Sequence, residues 1–248
     1  MIWLGGAVRA TRLALIINLN GDDRAAVAPR FVLYSLAIEI TLETMVRDGI
    51  PFVATPILLA IVSIIFGYWL VAIPFLALAG FMAFFFRDPH RTVPTEPGVV
   101  VAPADGRVTI VRLADGQENP ESLVSIFLSP LDVHINRSPI SGEIRDIAYK
   151  TGQFVMATRE DARLLNEQNT LTIQGDGLTV RCTQIAGILA RRIVCWKQTG
   201  DGLKCGERFG MIKFGSRTDL LLPPIVDVVV HEGMKVQGGV TIIGRIRR

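Results

Sequence analysis

The stretch GERFGMIKFGSRTDLLLPP, from Gly206 to Pro224, decides the fold of the second half of the chain. Short apolar runs lie on both sides of a Gly-Ser pair, Gly215 and Ser216. Strand-forming residues on either side of such a pair are typical of two β-strands joined by a turn. The residues alone leave two interpretations of Ser216 open, a turn residue or a reactive hydroxyl.

Similar β-rich runs recur on both sides of this stretch, among them GVVVAPADGRVTIVRL, SLVSIFLSP, NTLTIQGDGLTVRCTQIAG and VTIIGRI. Gly, Asp and Pro separate them at the spacing of an all-β sandwich or barrel. TREDARLLNEQ has an acidic first turn followed by apolar residues, which predicts one helix around Met156 to Gln168. The predicted fold is therefore mostly β and barrel-sandwich-like, with a small helix.

The segment from Ile50 to Phe86 contains no Asp, Glu, Lys or Arg. A spanning helix needs about 20 apolar residues, so this length with a break near Gly67 and Tyr68 predicts a membrane-associated helical hairpin. A single tilted span and a re-entrant pair are the alternatives. The basic cluster RDPHR that follows favours the cytoplasmic side for the exit of the hairpin.

These changes of composition predict four parts. Residues 1–49 form an N-terminal extension to which we assign no function, 50–86 the hydrophobic hairpin, 87–98 a proline-rich linker, and 99–248 the β-rich domain.

Charge and cysteine usage exclude several classes of function. The formal net charge is +3 and 20% of the residues are charged, so no strong field favours a nucleic-acid partner. Cys182, Cys195 and Cys205 form an odd set without CxxC spacing, which fits neither a disulfide framework nor a zinc site. We expect no metal and a reducing compartment.

Three polar residues are candidates for chemistry: Asp105 in PADG, His134 in DVHIN, and Ser216. Each also has a structural interpretation, because Asp-Gly is a common turn and His134 could lie on a solvated strand face. Together they would supply a base and a hydroxyl, the combination that activates serine as a nucleophile if the fold brings them together.

The motifs FFRDPHR, VVAPADGRV, IFLSPLDVHINRSPISG and GERFGMIKFGSRTDLLLP occur in this order. From about Pro51 to Arg248 the chain resembles the phosphatidylserine decarboxylase family, particularly its short bacterial and archaeal form. The most specific element is FGS with GERFG before it and R-x-D-x-x-LP after it. The segment 1–44 lies outside the resemblance.

The resemblance implies a pyruvoyl enzyme that cuts its own backbone between Gly215 and Ser216. Ser216 Oγ would attack the Gly215 carbonyl, and elimination and hydrolysis would leave a covalent pyruvoyl group at residue 216. His134, oriented by Asp105, would act as the base. Longer members carry a second histidine where this chain has Arg137, which leaves open whether His134 serves both self-cleavage and turnover.

The implied reaction converts phosphatidylserine to phosphatidylethanolamine and CO2 at the cytoplasmic membrane, with the catalytic domain on the cytoplasmic side. The substrate amine would form a Schiff base with the pyruvoyl carbonyl. The two cleaved chains would stay associated, and a homodimer is compatible with open sheet edges.

Other functions remain open from the residues alone. An archaetidylserine decarboxylase would use an ether-linked lipid. A non-catalytic, membrane-tethered barrel-sandwich carrier or binding module would keep its Gly-Ser link intact. A metallopeptidase is disfavoured because no HxH or HExxH occurs.

Overall fold

The computed structural model describes residues 45–115, 120–156, 161–175, 177–187, 192–213 and 216–247. Most of the predicted N-terminal extension, and Gly215 of the predicted cleavage link, lie outside these residues. The chain divides into two compact units, with the boundary between Pro89 and His90.

The first unit contains two apolar helices, α1 (Ile50–Ile65) and α2 (Trp69–Phe85), preceded by a 3-10 turn at Arg47–Gly49. The helices are antiparallel and pack along one another. The ring of Phe52, near the start of α1, accordingly lies 5.1 Å from that of Phe86, just after α2. The helical break predicted near Gly67 and Tyr68 is present between Ile65 and Trp69.

Large apolar side chains cover the outside of these helices, with Leu58 61%, Ile65 74% and Trp69 63% exposed. Within the described residues, the helical stretch Arg47–Ile65 has the length and apolar composition needed to cross a membrane, with a mean hydropathy of 2.0, and Trp69–Phe85 is a shorter apolar helix. Soluble surfaces rarely expose so continuous an apolar area.

The second unit is built from strands, which confirms the mostly β prediction. In chain order its described elements are β1 (Val99–Val101), β2 (Gly106–Arg112), β3 (Ser122–Leu128), β4 (Ile135–Arg137), β5 (Gly142–Lys150), α3 (Ala162–Leu165), β6 (Gln168–Gly175), β7 (Leu178–Ile185), β8 (Arg192–Cys195), β9 (Gly202–Leu203), β10 (Arg208–Lys213), β11 (Ser216–Leu222), β12 (Val226–Val228), β13 (Lys235–Val236) and β14 (Ile242–Ile246).

Three antiparallel sheets result over the described residues. The largest is a curled sheet of eight strands in the order β13-β2-β3-β11-β7-β6-β5-β9. Two smaller sheets have the orders β1-β14-β12 and β4-β10-β8. The chain therefore changes sheet between Lys213, the last residue of β10, and Ser216, the first residue of β11.

Alternation along the strands places the core on one face of the large sheet. On β11, Leu220 and Leu222 are fully buried, and Leu220 pairs with Val124 of β3 and Cys182 of β7. Leu171 of β6 continues the same row beside Cys182. Ser216 and Thr218 precede Leu220 at the same spacing of two residues, so they lie on this inner face as well.

The helix predicted around Met156 to Gln168 is much shorter in the structure. Of the described residues in this stretch, only Ala162–Leu165 are helical, and Gln168 already belongs to β6. Residues 157–160 lie outside the described part of the chain. The cause is tertiary, since β6 pairs along its whole length with β7 and this pairing outweighs the local helical pattern.

Candidate active site

Ser216 is the first residue of β11, and its backbone pairs with Leu128 of β3. The side chain is completely buried, and its Oγ has no hydrogen-bond partner among the described residues. Leaving a buried hydroxyl without a partner costs about 1–3 kcal/mol, and such groups are rare. Ser216 is therefore a strand residue with an unsatisfied hydroxyl, which is unlike an ordinary turn serine.

His134 directly precedes β4 and is also fully buried, so the interpretation of a solvated strand face is wrong. Its Nδ1 lies 2.9 Å from the main-chain carbonyl oxygen of Asp132. A carbonyl only accepts, so Nδ1 carries the proton and donates it to Asp132. The neutral ring then has its lone pair at Nε2, which is the form required of a general base.

The segment around His134 contacts both sides of the link between β10 and β11. Upstream of the link, the Ile212 N–H donates to the His134 carbonyl over 3.2 Å. Downstream of it, Asn136 Nδ2 donates to Thr218 Oγ1 over 2.9 Å. The segment that carries the imidazole thus lies beside the link between β10 and β11, which ends at Ser216.

Asp105 is held by partners other than His134 among the described contacts. Its Oδ2 accepts a hydrogen bond from Arg91 Nη2 at 2.6 Å, and its Oδ1 accepts one from the Gly238 N–H at 2.8 Å. Burial raises the pKa of Asp105 above its ordinary value near 3.8, although Gly238 and Arg91 both lower it. The described contacts thus place Arg91 and Gly238 at the Asp105 carboxylate and the Asp132 carbonyl at His134 Nδ1.

A buried layer of side-chain amides lies one row further along the inner face. Asn169 Nδ2 donates to Gln184 Oε1, and Gln184 Nε2 donates to Asn136 Oδ1, both over 2.9 Å. The chain of hydrogen bonds then ends at Thr218. None of these residues belongs to a motif that marks it in the sequence. The signal that could have found them is a polar residue at a core-facing position of an otherwise apolar strand.

The opposite face of β11 carries a buried ion pair. Arg217 donates to Asp219 from Nε over 2.6 Å and from Nη2 over 2.9 Å, with both side chains 2% exposed. Arg217 Nη2 also donates to Ser125 Oγ of β3, and Arg163 Nε of α3 lies 3.6 Å from Asp219 Oδ2. This cluster joins β11 to its neighbour and to α3, directly after Ser216.

Arg137 holds the main chain of a turn. Its Nη1 donates to the Gly206 carbonyl over 3.1 Å, and its N–H donates to the Pro103 carbonyl over 2.9 Å. These contacts fix the PADG turn and the GERF segment around β4. His231 is exposed, and its Nδ1–H donates to the Glu232 carbonyl next to it.

Arg91 belongs to the basic cluster RDPHR that follows the apolar hairpin in the sequence. Its side chain is 10% exposed and pairs with Asp105. Arg91 therefore belongs to the surroundings of the candidate site.

Metal ligands and reactive cysteines are the remaining kinds of functional group to consider. Among the described residues no three His, Cys, Asp or Glu side chains come together as metal ligands would. The cysteines are free, and burial raises the pKa of the Cys182 thiol well above its ordinary value. Such a thiol is inert as a nucleophile.

Comparisons with known proteins give one family. The family described as "Phosphatidylserine decarboxylase" matches residues 78–244. A phosphatidylserine decarboxylase proenzyme of Solibacter usitatus is 49% identical over 176 residues, which cover 71% of this chain and 84% of that protein. Proenzymes of the same name from Nitrosomonas eutropha and Symbiobacterium thermophilum are each 45% identical over 204 residues, covering 81% of this chain and 94% of each protein.

Proposed function

This chain belongs to the phosphatidylserine decarboxylase family and is a decarboxylase, and from that premise we propose that it makes a pyruvoyl cofactor from its own Ser216. The observation that carries the proposal is the buried Ser216 Oγ without a hydrogen-bond partner among the described residues. A structural serine would satisfy its hydroxyl, whereas a nucleophile needs a lone pair that other donors leave available.

In the proposed maturation, Ser216 Oγ attacks the carbonyl carbon of Gly215. The new C–O bond forms as the Gly215–Ser216 C–N bond breaks, and the proton from Oγ passes to the freed amino group by way of His134. Loss of the Ser216 Cα proton then expels the Gly215 carboxylate from Cβ. Water hydrolyses the dehydroalanine end to a pyruvoyl group and releases ammonia.

His134 is the proposed base because its imidazole is held in one tautomer. The bond from Nδ1–H to Asp132 O keeps the lone pair on Nε2. A positioned base of this kind contributes about 10²- to 10⁴-fold to a rate. Since Arg137 is engaged with Gly206, we propose that His134 serves self-cleavage and turnover alike.

Asp105 is proposed to hold the PADG turn in place, and so to act on the imidazole indirectly. Its carboxylate joins Arg91 to Gly238, while Pro103 two residues earlier accepts the hydrogen bond from the Arg137 N–H of β4. Asp105 thereby fixes the strand that carries the base.

In turnover, the pyruvoyl group supplies an electron sink for the electron pair released as CO2 leaves the substrate. The residues of this chain are proposed to bind and enclose the substrate and to return a proton to it. His134 is the proposed donor to the substrate α-carbon, and the buried surroundings of Ser216 and His134 keep bulk water from competing.

After cleavage, residues 216–248 would be a separate chain, and strand pairing supports the proposal that it stays in place. β11 lies inside the large sheet and pairs with β3 over Ser216 to Leu222 and with β7 over Arg217 to Leu221. These ladders do not depend on the Gly215–Ser216 link.

We further propose that α1 and α2 hold the enzyme at the cytoplasmic membrane. Their exposed apolar surface supports this, and a diacyl lipid substrate that remains in the bilayer gives the reason. The catalytic domain is proposed to lie on the cytoplasmic side, because the basic residues after α2 follow the positive-inside tendency.

The test combines activity with a chemical trap. Purified enzyme is incubated with phosphatidylserine, CO2 release is measured, and borohydride is added while substrate is present. We expect CO2 release and a lipid-derived label at the first residue of the fragment 216–248. A label elsewhere would place the electrophile at another residue, and an uncut chain without CO2 release would favour the carrier alternative.

A further inference from the structure

We propose that Asn136 is a positioning residue for self-cleavage, acting through the hydroxyl of Thr218 to align Ser216 with His134. The inference rests on the proposed function, since it concerns how the Gly215–Ser216 link is brought to its base. It adds a role for the amide layer formed by Asn169, Gln184, Asn136 and Thr218.

The amide layer lies where an apolar row would be expected. Asn169 precedes the core residue Leu171, and Gln184 follows Cys182 at the same spacing. Thr218 pairs with Gln184 and precedes Leu220. Burying polar side chains is costly unless each one is hydrogen-bonded. The layer meets this condition with three bonds of 2.9 Å in series.

Asn136 is the member that joins two sheets. Its own strand β4 belongs to the small sheet with β10 and β8, whereas Thr218 and Gln184 belong to the large sheet. The amide donates to Thr218 Oγ1 and accepts from Gln184 Nε2, so it is bound on both sides. It therefore fixes the offset of β4 relative to β11.

That offset determines the geometry of the reaction. His134 lies two residues before Asn136, and Ser216 lies two residues before Thr218. All four side chains are fully buried, and the main chain of His134 is hydrogen-bonded to Ile212 of β10, just upstream of Ser216. A shift of β4 along β11 would move the imidazole away from the hydroxyl. A displacement of about 1 Å between reacting groups can slow a reaction by about 10²-fold.

The decisive variants are Thr218→Val and Thr218→Ser. Valine keeps the shape of threonine and removes the oxygen that accepts from Asn136, whereas serine keeps that oxygen. Each is made by cell-free translation with labelled methionine, and conversion of full-length chain to fragments is followed with time on gels. Protease-resistant protein is scored separately, so the rate refers to folded chains.

We expect Thr218→Val to be cut about 10²-fold more slowly than wild type, with Thr218→Ser within about threefold of wild type. Asn136→Leu should resemble Thr218→Val. Thr170→Val is the matched control, because Thr170 pairs with Thr183 on the same strands as the amide layer but on the outer face. It should be cut at the wild-type rate.

Folded Thr218→Val chains that are cut as fast as wild type would overturn the inference. Equal slowing of Thr218→Val and Thr170→Val would also overturn it, because the loss of any hydrogen bond between strands would then be enough to slow self-cleavage. A wild-type chain that is never cut would instead contradict the proposed function, so the two failures are distinguishable.

Discussion

Ser216 and His134 are both fully buried, with very different hydrogen bonding. Ser216 Oγ has no partner among the described residues, while the imidazole of His134 is fixed by the Asp132 carbonyl. We propose the unsatisfied hydroxyl as the nucleophile and the fixed imidazole as the base. The free energy lost at the hydroxyl is of the size that active sites commonly tolerate.

Replacing His134 by Gln should stop maturation almost entirely. The change removes the base and keeps a side chain of similar size and polarity, so the rate of self-cleavage should fall by about 10²- to 10⁴-fold. Time-resolved gels of newly made protein measure it. His231→Gln is the control, because His231 is exposed in a turn and bonded to Glu232, and it should be cut normally. Rapid cleavage of the His134 variant would exclude it as the base.

At the residue scale, Ser216, His134 and Asp105 could be chosen from sequence because each has a recognisable motif. The partners of Asp105 could not, because Arg91 lies in a proline-rich stretch that reads as a linker. Asn136 and Thr218 were missed for a different reason. Their bond joins residues 82 positions apart, and alternation predicts which face a residue occupies but not which strand lies opposite.

Where β2 pairs with β3, the two strands approach so closely that no side chain fits at Gly106. Gly106 has φ +149°, and a Cβ there would overlap the main-chain carbonyl of Phe127, with the carbonyl carbon 2.9 Å away. Phe127 is adjacent to Leu128, the partner of Ser216. The glycine of PADG is thus required for the close approach of β2 to the strand beside the site.

Gly106→Ala should destabilise the second unit by about 3 kcal/mol, because backbone strain and a clash with an immobile carbonyl combine. Denaturant unfolding of the uncut Ser216→Ala protein measures it. Gly177→Ala is the control: Gly177 has φ +70° but open space around its Cβ position, so only the cost of the left-handed conformation, about 1 kcal/mol, applies. Equal losses in the two variants would contradict the clash.

The Arg91–Asp105 pair makes stability depend on pH in a defined direction. Since burial raises the pKa of Asp105, the folded chain keeps that proton to a higher pH than the unfolded chain does. The unfolding free energy therefore decreases as pH rises from about 4 through the folded pKa. Arg91→Met removes a cation that lowers this pKa, so the decrease should extend to higher pH.

The measurement is the unfolding free energy between about pH 4 and pH 7 in the Ser216→Ala background. Arg91→Met should lose stability with rising pH over a wider interval than its parent. Adding Asp105→Asn should remove the extra dependence, because no titrating carboxyl remains. The same pH dependence in the single and the double variant would show that another group titrates.

At the element scale, the β-runs were predictable because alternation and turn residues are local signals. The helix around Met156 to Gln168 was predicted too long, since the pairing of β6 with β5 and β7 is a tertiary contact that the pattern does not encode. The change of sheet between β10 and β11 was also hidden, because a sequence that reads as a hairpin turn separates strands of different sheets.

For the whole molecule, the apolar hairpin and the β-rich unit expose different kinds of surface. The hairpin exposes Leu58, Ile65 and Trp69, among others, whereas the second unit buries its aliphatic residues inside the curled sheet. Such a division suits an enzyme whose substrate is a membrane lipid. The order of these parts was predictable, since hydropathy and charge change abruptly after Phe86.

The full chain should sediment with membranes and stay there in about 1 M salt, because salt screens charges but does not weaken apolar burial. Detergent should release it. Fractionation with an antibody against the C-terminal fragment measures both. Release by salt alone would mean that basic residues, and not α1 and α2, hold the enzyme to the bilayer.

Self-cleavage is tested most directly by the intact mass of purified wild-type protein compared with that of Ser216→Ala. We expect two polypeptides for the wild type, the smaller comprising residues 216–248 with a keto group in place of its amino terminus, and one unbroken chain for the variant. A wild-type protein that is a single chain across residues 215 and 216, yet releases CO2 from phosphatidylserine, would contradict it.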